Sequence, residues 1–191
     1  MTPVTPQLAL RLAALGFGAA LLQVAAVSQI TLFDTNADLL PLVVAAVGLL
    51  CGSLPGAVFG FSVGLFVDTA YVQTLGLSSL VFTVAGYGAG RLRELRDPQG
   101  AAVPMAVGAA ATLVATVGFG LISFLLGVDA PVSMLLLRQI VLTVALNALI
   151  ALPVFALARR FLSPALPDDP RRRRRRAYTT GGLSPLSQAR G

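Results

Sequence analysis

Residues 48–68 read GLLCGSLPGAVFGFSVGLFVD, and this stretch decides the fold. Gly48, Gly52, Gly56, Gly60 and Gly64 recur at every fourth position, and Asp68 takes the next place in the series. No charge interrupts the chain from Leu39 to Val67. In lipid no hydrophobic force drives helices together, so small residues at this spacing let two backbones approach and gain dispersion contacts. The pattern predicts close-packed membrane helices that end at a polar residue. A strict four-residue period drifts around an α-helix by about 40° per step. Broken at Pro55, the series becomes two shorter stripes, Gly48/Gly52 and Gly56/Gly60/Gly64. These predict that the second and third apolar segments pack antiparallel on each other.

The composition agrees. Of 191 residues 56% are hydrophobic and only 12% charged, against roughly 25% charged in soluble domains. The mean hydropathy is +0.84. Six apolar segments are legible, at about Leu8–Ile30, Leu39–Leu50, Gly56–Val72, Leu75–Arg91, Ala101–Gly127 and Val132–Phe161. Turn residues punctuate them: Gly52-Ser53-Leu54-Pro55-Gly56, Thr74-Leu75-Gly76, Asp97-Pro98-Gln99-Gly100 and Asp129-Ala130-Pro131. The expected fold is all-α: a polytopic membrane protein of about six transmembrane helices, with a short helical hairpin made by segments two and three. Residues 1–166 form the membrane domain, and residues 167–191 a disordered basic tail.

Segment two is short. About twelve residues make roughly 18 Å of helix, less than a hydrocarbon core of about 30 Å. Residues 39–54 therefore either form a short, tilted span or re-enter, in which case the tip must be buried in protein to satisfy its backbone. Segment one reads as an uncleaved anchor. Ala26-Val27-Ser28 imitates a cleavage site, but the apolar run is long and Arg11 alone supplies its basic flank. Arg91, Arg93 and Arg96 lie between segments four and five, while Arg159 and Arg160 close segment six. The alternate loops carry Asp34, Asp38, Asp68 and Asp129 and no arginine. The positive-inside rule then places both termini in the cytoplasm and the aspartates outside.

Few polar residues interrupt the spans. Asp68 either ends its helix at the interface or pairs with Arg138, which lies about 9 Å into segment six. Gln23 and Asn147 sit inside apolar helices, where interhelical hydrogen bonding is the default role and contact with a transported ligand the alternative. Arg171, Arg172, Arg173, Arg174, Arg175 and Arg176 open a tail too polar to form a core. Tethered beside the inner leaflet, they are expected to meet anionic lipid rather than nucleic acid. With no histidine and one cysteine, the usual general base and any Cys–His metal site are missing. No phosphate loop is present and no catalytic constellation emerges. The chain reads as a non-enzyme without a cofactor.

The quoted stretch, with Asn36-Ala37-Asp38-Leu39-Leu40 before it and Leu75-Gly76-Leu77-Ser78-Ser79-Leu80 and Gly86-Tyr87-Gly88-Ala89-Gly90-Arg91 after it, resembles the rod shape-determining MreD family. Ala37 stands where the family pattern would place proline. The resemblance implies a non-enzymatic inner-membrane component of the bacterial elongation complex. Such a protein would act with an MreC-like bitopic protein, the actin homologue MreB, a RodA-type polymerase and an elongation transpeptidase. A competing class is the substrate-binding membrane subunit of energy-coupling-factor importers, which would need convergent polar groups around an enclosed cavity.

Overall fold

A computed structural model of the chain describes residues 5–25, 31–32, 35–36, 38–72, 74–95, 102–127 and 134–165. Among these residues six α-helices follow in order: α1 Pro6–Ala25, α2 Leu39–Cys51, α3 Ser53–Ala70, α4 Leu77–Leu95, α5 Ala102–Leu125 and α6 Met134–Leu162, with a 3₁₀ turn at Ser163–Ala165. Among the described residues α3, α5 and the run Leu137–Ala165 are long and apolar enough to cross a membrane. The sequence left residues 31–36 as a loop. Instead, β1 Thr31–Leu32 and β2 Thr35–Asn36 pair antiparallel, Thr31 opposite Asn36 and Leu32 opposite Thr35. The expected tail at 167–191, with Arg171 to Arg176, lies outside the described residues, as do Asp34, Arg96 and Asp129.

Helix boundaries follow local chemistry. The Thr5 hydroxyl accepts from the Leu8 N–H, and Pro6 occupies the first helical position, where its missing N–H costs nothing. α3 begins at Ser53, earlier than the turn residues suggest, because Pro55 falls in the first helical turn and is tolerated there. Only Gly52 is left to make the corner between α2 and α3. It does so with φ at 107°, a left-handed backbone that glycine adopts without strain.

The short helix is the centre of the molecule. α2 touches α1, α3, α4, α5 and α6, and nearly all of it, from Leu40 to Leu49 and again at Cys51, is buried. It packs Val44 and Val47 against Phe59, Val63 and Phe82, and on another side Ala45 and Leu49 against Ala85, Ala89, Val107 and Ala111. A helix apolar all round belongs inside, and one wholly wrapped by protein need not match the bilayer thickness. The outer surface is apolar too: Leu10, Val58, Phe61, Leu80, Val84, Leu121 and Leu149 are each about half exposed or more. Such continuous outward apolar surface is untenable in water and natural in lipid.

The glycine stripe meets a different neighbour from the one expected. A methyl group added at Gly60 or Gly64 would run into the backbone of α4, at Phe82 and Ser79 respectively. At Gly56 it would lie 2.5 Å from the carbonyl oxygen of Gly86, and at Gly48 also 2.5 Å from that oxygen. α3 and α4 thus form the most intimate pair in the bundle. α2 joins them where Gly48 and Gly56 meet: a methyl at Gly56 would come 2.8 Å from the Gly48 Cα. Segment four supplies Gly86 and Gly90 to complete the contact, while Gly88 faces open space.

Candidate functional site

The polar residues gather at the helix ends around this junction. Each α-helix starts with N–H groups and ends with carbonyls that find no partner inside the helix. In a membrane these must be satisfied by protein.

At the start of α2 three consecutive N–H groups are taken by three different side chains. The Asp38 N–H donates to Asn147 Oδ1 at 3.2 Å, the Leu39 N–H to Gln23 Oε1 at 2.9 Å, and the Leu40 N–H to Asp38 Oδ1 at 3.2 Å. Asn147 Nδ2 also donates to the Asp38 carbonyl and to Thr112 Oγ1, both at 3.0 Å. Asn147 is fully buried and holds both faces of one peptide residue. The cluster therefore ties α1, α2, α5 and α6 together at one level. Asn147 stands roughly 20 Å along α6 from Met134, so α2 begins deep within the bundle.

Asp68 performs the same task for α4. It is fully buried, and its carboxylate accepts from the Gly76 N–H at 2.8 Å and the Ser78 N–H at 3.1 Å. Of its two readings, the ion pair with Arg138 is not formed among the described residues. Arg138 is exposed, and the buried carboxylate is already matched to the positive end of a helix, where anionic groups are stabilised.

The far end mirrors this arrangement. Glu94 of α4 accepts from the Ser53 N–H at 3.0 Å and the Ser53 hydroxyl at 2.6 Å, capping α3 from a neighbouring helix. Arg91 pairs with its other oxygen at 3.1 Å. Ser53 and Arg91 together hold the Glu94 carboxyl down at about 2. Arg93 Nη1 donates to the Leu50 carbonyl at the end of α2, and Arg11 Nη1 to the Phe161 carbonyl on α6 at 2.7 Å. α3 thus caps α4 at one end and is capped by it at the other.

Sequence reasoning named Gln23, Asn147 and Asp68 without their partners, and it missed Glu94 and Arg93. Glu94 is the one glutamate in the chain, flanked by arginines, and those arginines were read only as an orientation signal. The structure brings Gln23 and Asn147 into one cluster, sets Asp68 apart from it, and leaves Arg138 in neither. Among the described residues no group of histidine, cysteine, aspartate or glutamate could hold a metal ion. The arrangement positions helices.

The family model described as rod shape-determining protein MreD matches residues 8–161. No curated protein and no solved structure matches the chain.

Proposed function

This chain belongs to the rod shape-determining protein MreD family, and from that premise we propose that it is a non-enzymatic, multi-pass component of the bacterial inner-membrane elongation complex. Membership implies a role in rod shape and work with the MreC/MreB machinery. In our reading its direct partner is an MreC-like bitopic protein, with a RodA-type polymerase and an elongation transpeptidase in the same assembly. Contact is helix to helix, because the outward surface is apolar over the five helices that surround α2.

The family match is the observation that carries this reading. The packing adds a physical reason. Gly48, Gly56, Gly60 and Gly64 are already filled by the α4 backbone and by one another. We therefore read the stripe as internal packing that makes a rigid body, leaving outer faces for partners. Family membership also favours shape determination over small-solute uptake.

In this reading the chain makes six crossings, the short α2 starting within the bundle rather than spanning the full hydrocarbon thickness, and both termini are cytoplasmic. The contacts of Arg11 with Phe161, and of Arg93 with Leu50, support one arginine-bearing end for the bundle, as the positive-inside rule requires. Arg171–Arg176 then lie beside anionic lipid of the inner leaflet. Depleting the protein in its own cell should round the cells, and affinity capture of the tagged chain should retain the MreC-like partner. Cells that keep their rod shape after full depletion, with no partner retained, would refute the proposal. A periplasm-active reporter fused after Arg190 should be silent; activity would overturn the topology.

A further inference from the structure

Between α1 and α3 the bundle leaves an open groove of about 800 Å³. Phe59 and Val63 form its floor, close to Gly16, where a methyl group would come 2.9 Å from Val63 Cγ2. One end is closed by Phe17 and Phe66, whose rings meet edge to face at 5.6 Å across the two helices. The other end is polar and carries Ser53, Arg91 and Glu94.

The polar end keeps unused hydrogen-bond donors. Glu94 is engaged on both oxygens, by Ser53 and by Arg91. Arg91 spends one guanidinium nitrogen on that contact, while its side chain remains 50% exposed. An arginine has five N–H donors in a fixed fork, so most of this one is free to meet anionic oxygens. Held in place by Glu94, it is suited to a phosphate, the partner arginine binds bidentately.

The length of the groove points to a lipid as occupant. From Ser53 to Phe66 the groove runs roughly 20 Å along α3, which matches one leaflet of hydrocarbon, about 15 Å deep, with a headgroup beyond it. A chain spanning the whole bilayer would run into Phe17 and Phe66.

We propose that this groove seats one glycerophospholipid of the adjoining leaflet, with its phosphate on Arg91 and an acyl chain lying over Phe59 towards Phe17 and Phe66. The site rests on the chain's being embedded in a membrane and is independent of its role in cell shape.

Native mass spectrometry of the full chain in mild detergent tests it, with dioleoyl phosphatidylethanolamine, dioleoyl phosphatidylglycerol and dioleoylglycerol as probes. Both phospholipids should stay bound, and the phosphate-free diacylglycerol about tenfold less, as expected when a charge-assisted contact is missing. Arg91→Gln should reduce phospholipid retention by a similar factor. Ala13→Trp, which fills the groove from its exposed α1 wall, should do the same, and Val58→Trp repeats that test from the α3 side. Arg159→Gln, on α6, should bind as the native chain does. Melting curves establish that each variant is folded. Retention of diacylglycerol equal to that of the phospholipids overturns the proposal. So does native-like phospholipid binding by Arg91→Gln or by both folded tryptophan variants, or crosslinking of the groove to a partner helix.

Discussion

A methyl group on Gly56 would stand 2.5 Å from the carbonyl oxygen of Gly86, and one on Gly86 would strike the carbonyl of Gly56 in return. The two glycines sit on antiparallel helices at the same level, and Gly48 of α2 reaches the same oxygen. Three backbones converge where no side chain fits. Close approach of this kind is what holds helices together when the surrounding solvent is as apolar as their side chains.

Gly60→Leu should therefore be severely destabilising. Overpacking usually costs about 1–3 kcal/mol, and here the obstacle is backbone, which cannot rotate away, so the loss should reach the top of that range or exceed it. Gly88→Leu, on the open side of α4, should change stability by less than about 0.5 kcal/mol. Thermal unfolding in detergent compares the two. Equal melting temperatures would refute the packing argument.

Asp68→Ala removes both acceptors at the start of α4 and leaves the N–H groups of Gly76 and of buried Ser78 without their partner. A loss of about 1–3 kcal/mol is expected. Asp68→Asn keeps one acceptor and should lose less. Arg138→Gln should have no effect on Asp68 function, since the two residues are not partners. The three melting curves, run together, test the assignment.

Asn147→Leu deletes three hydrogen bonds at once. At about 0.6 kcal/mol each, the average for interhelical bonds in membranes, the loss is about 2 kcal/mol. The change should loosen α2 selectively. Hydrogen exchange should rise first at Asp38, Leu39 and Leu40, and exchange spread evenly over the bundle would contradict the clamp.

Acidity acts at the arginine-bearing end. Glu94 lies at about 2 against an ordinary 4.5, so its contribution is present above that value and fades as pH falls towards 2. Glu94→Gln should flatten the stability profile below about 4.5. An unchanged profile in that variant would refute the assignment.

Much of the helical order was legible because hydropathy and turn residues are local signals. Segment two, expected at Leu39–Leu50, is α2 at Leu39–Cys51, and segment five, expected at Ala101–Gly127, is α5 at Ala102–Leu125. α4 runs on to Leu95, past the expected end at Arg91, because the Arg91–Glu94 pair and the bonds to Ser53 and Leu50 hold its charged last turn in helix. Partner choice was not legible. A glycine stripe announces that some backbone comes close without saying whose, and Gly56 could equally have faced α2 alone. Likewise nothing local in Asn147 points to Asp38, because the two meet only after the bundle closes. The re-entrant and spanning readings of segment two also differ only in what surrounds it, and the sequence of the segment itself does not carry that.

The clamp on Asp38 imposes an order on biosynthesis. Asn147 lies 109 residues further along the chain than the peptide it holds. At about 5–20 residues per second, the ribosome delivers it on the order of 5–20 s after Asp38. During that interval α3 and α4 can zip together and cap one another from residues already made. The first turn of α2, by contrast, stays without one of its three acceptors until α6 enters the membrane. The innermost helix of the finished protein thus waits for the last helix made to complete its backbone, and a nascent chain halted before residue 147 holds a finished hairpin beside an open core.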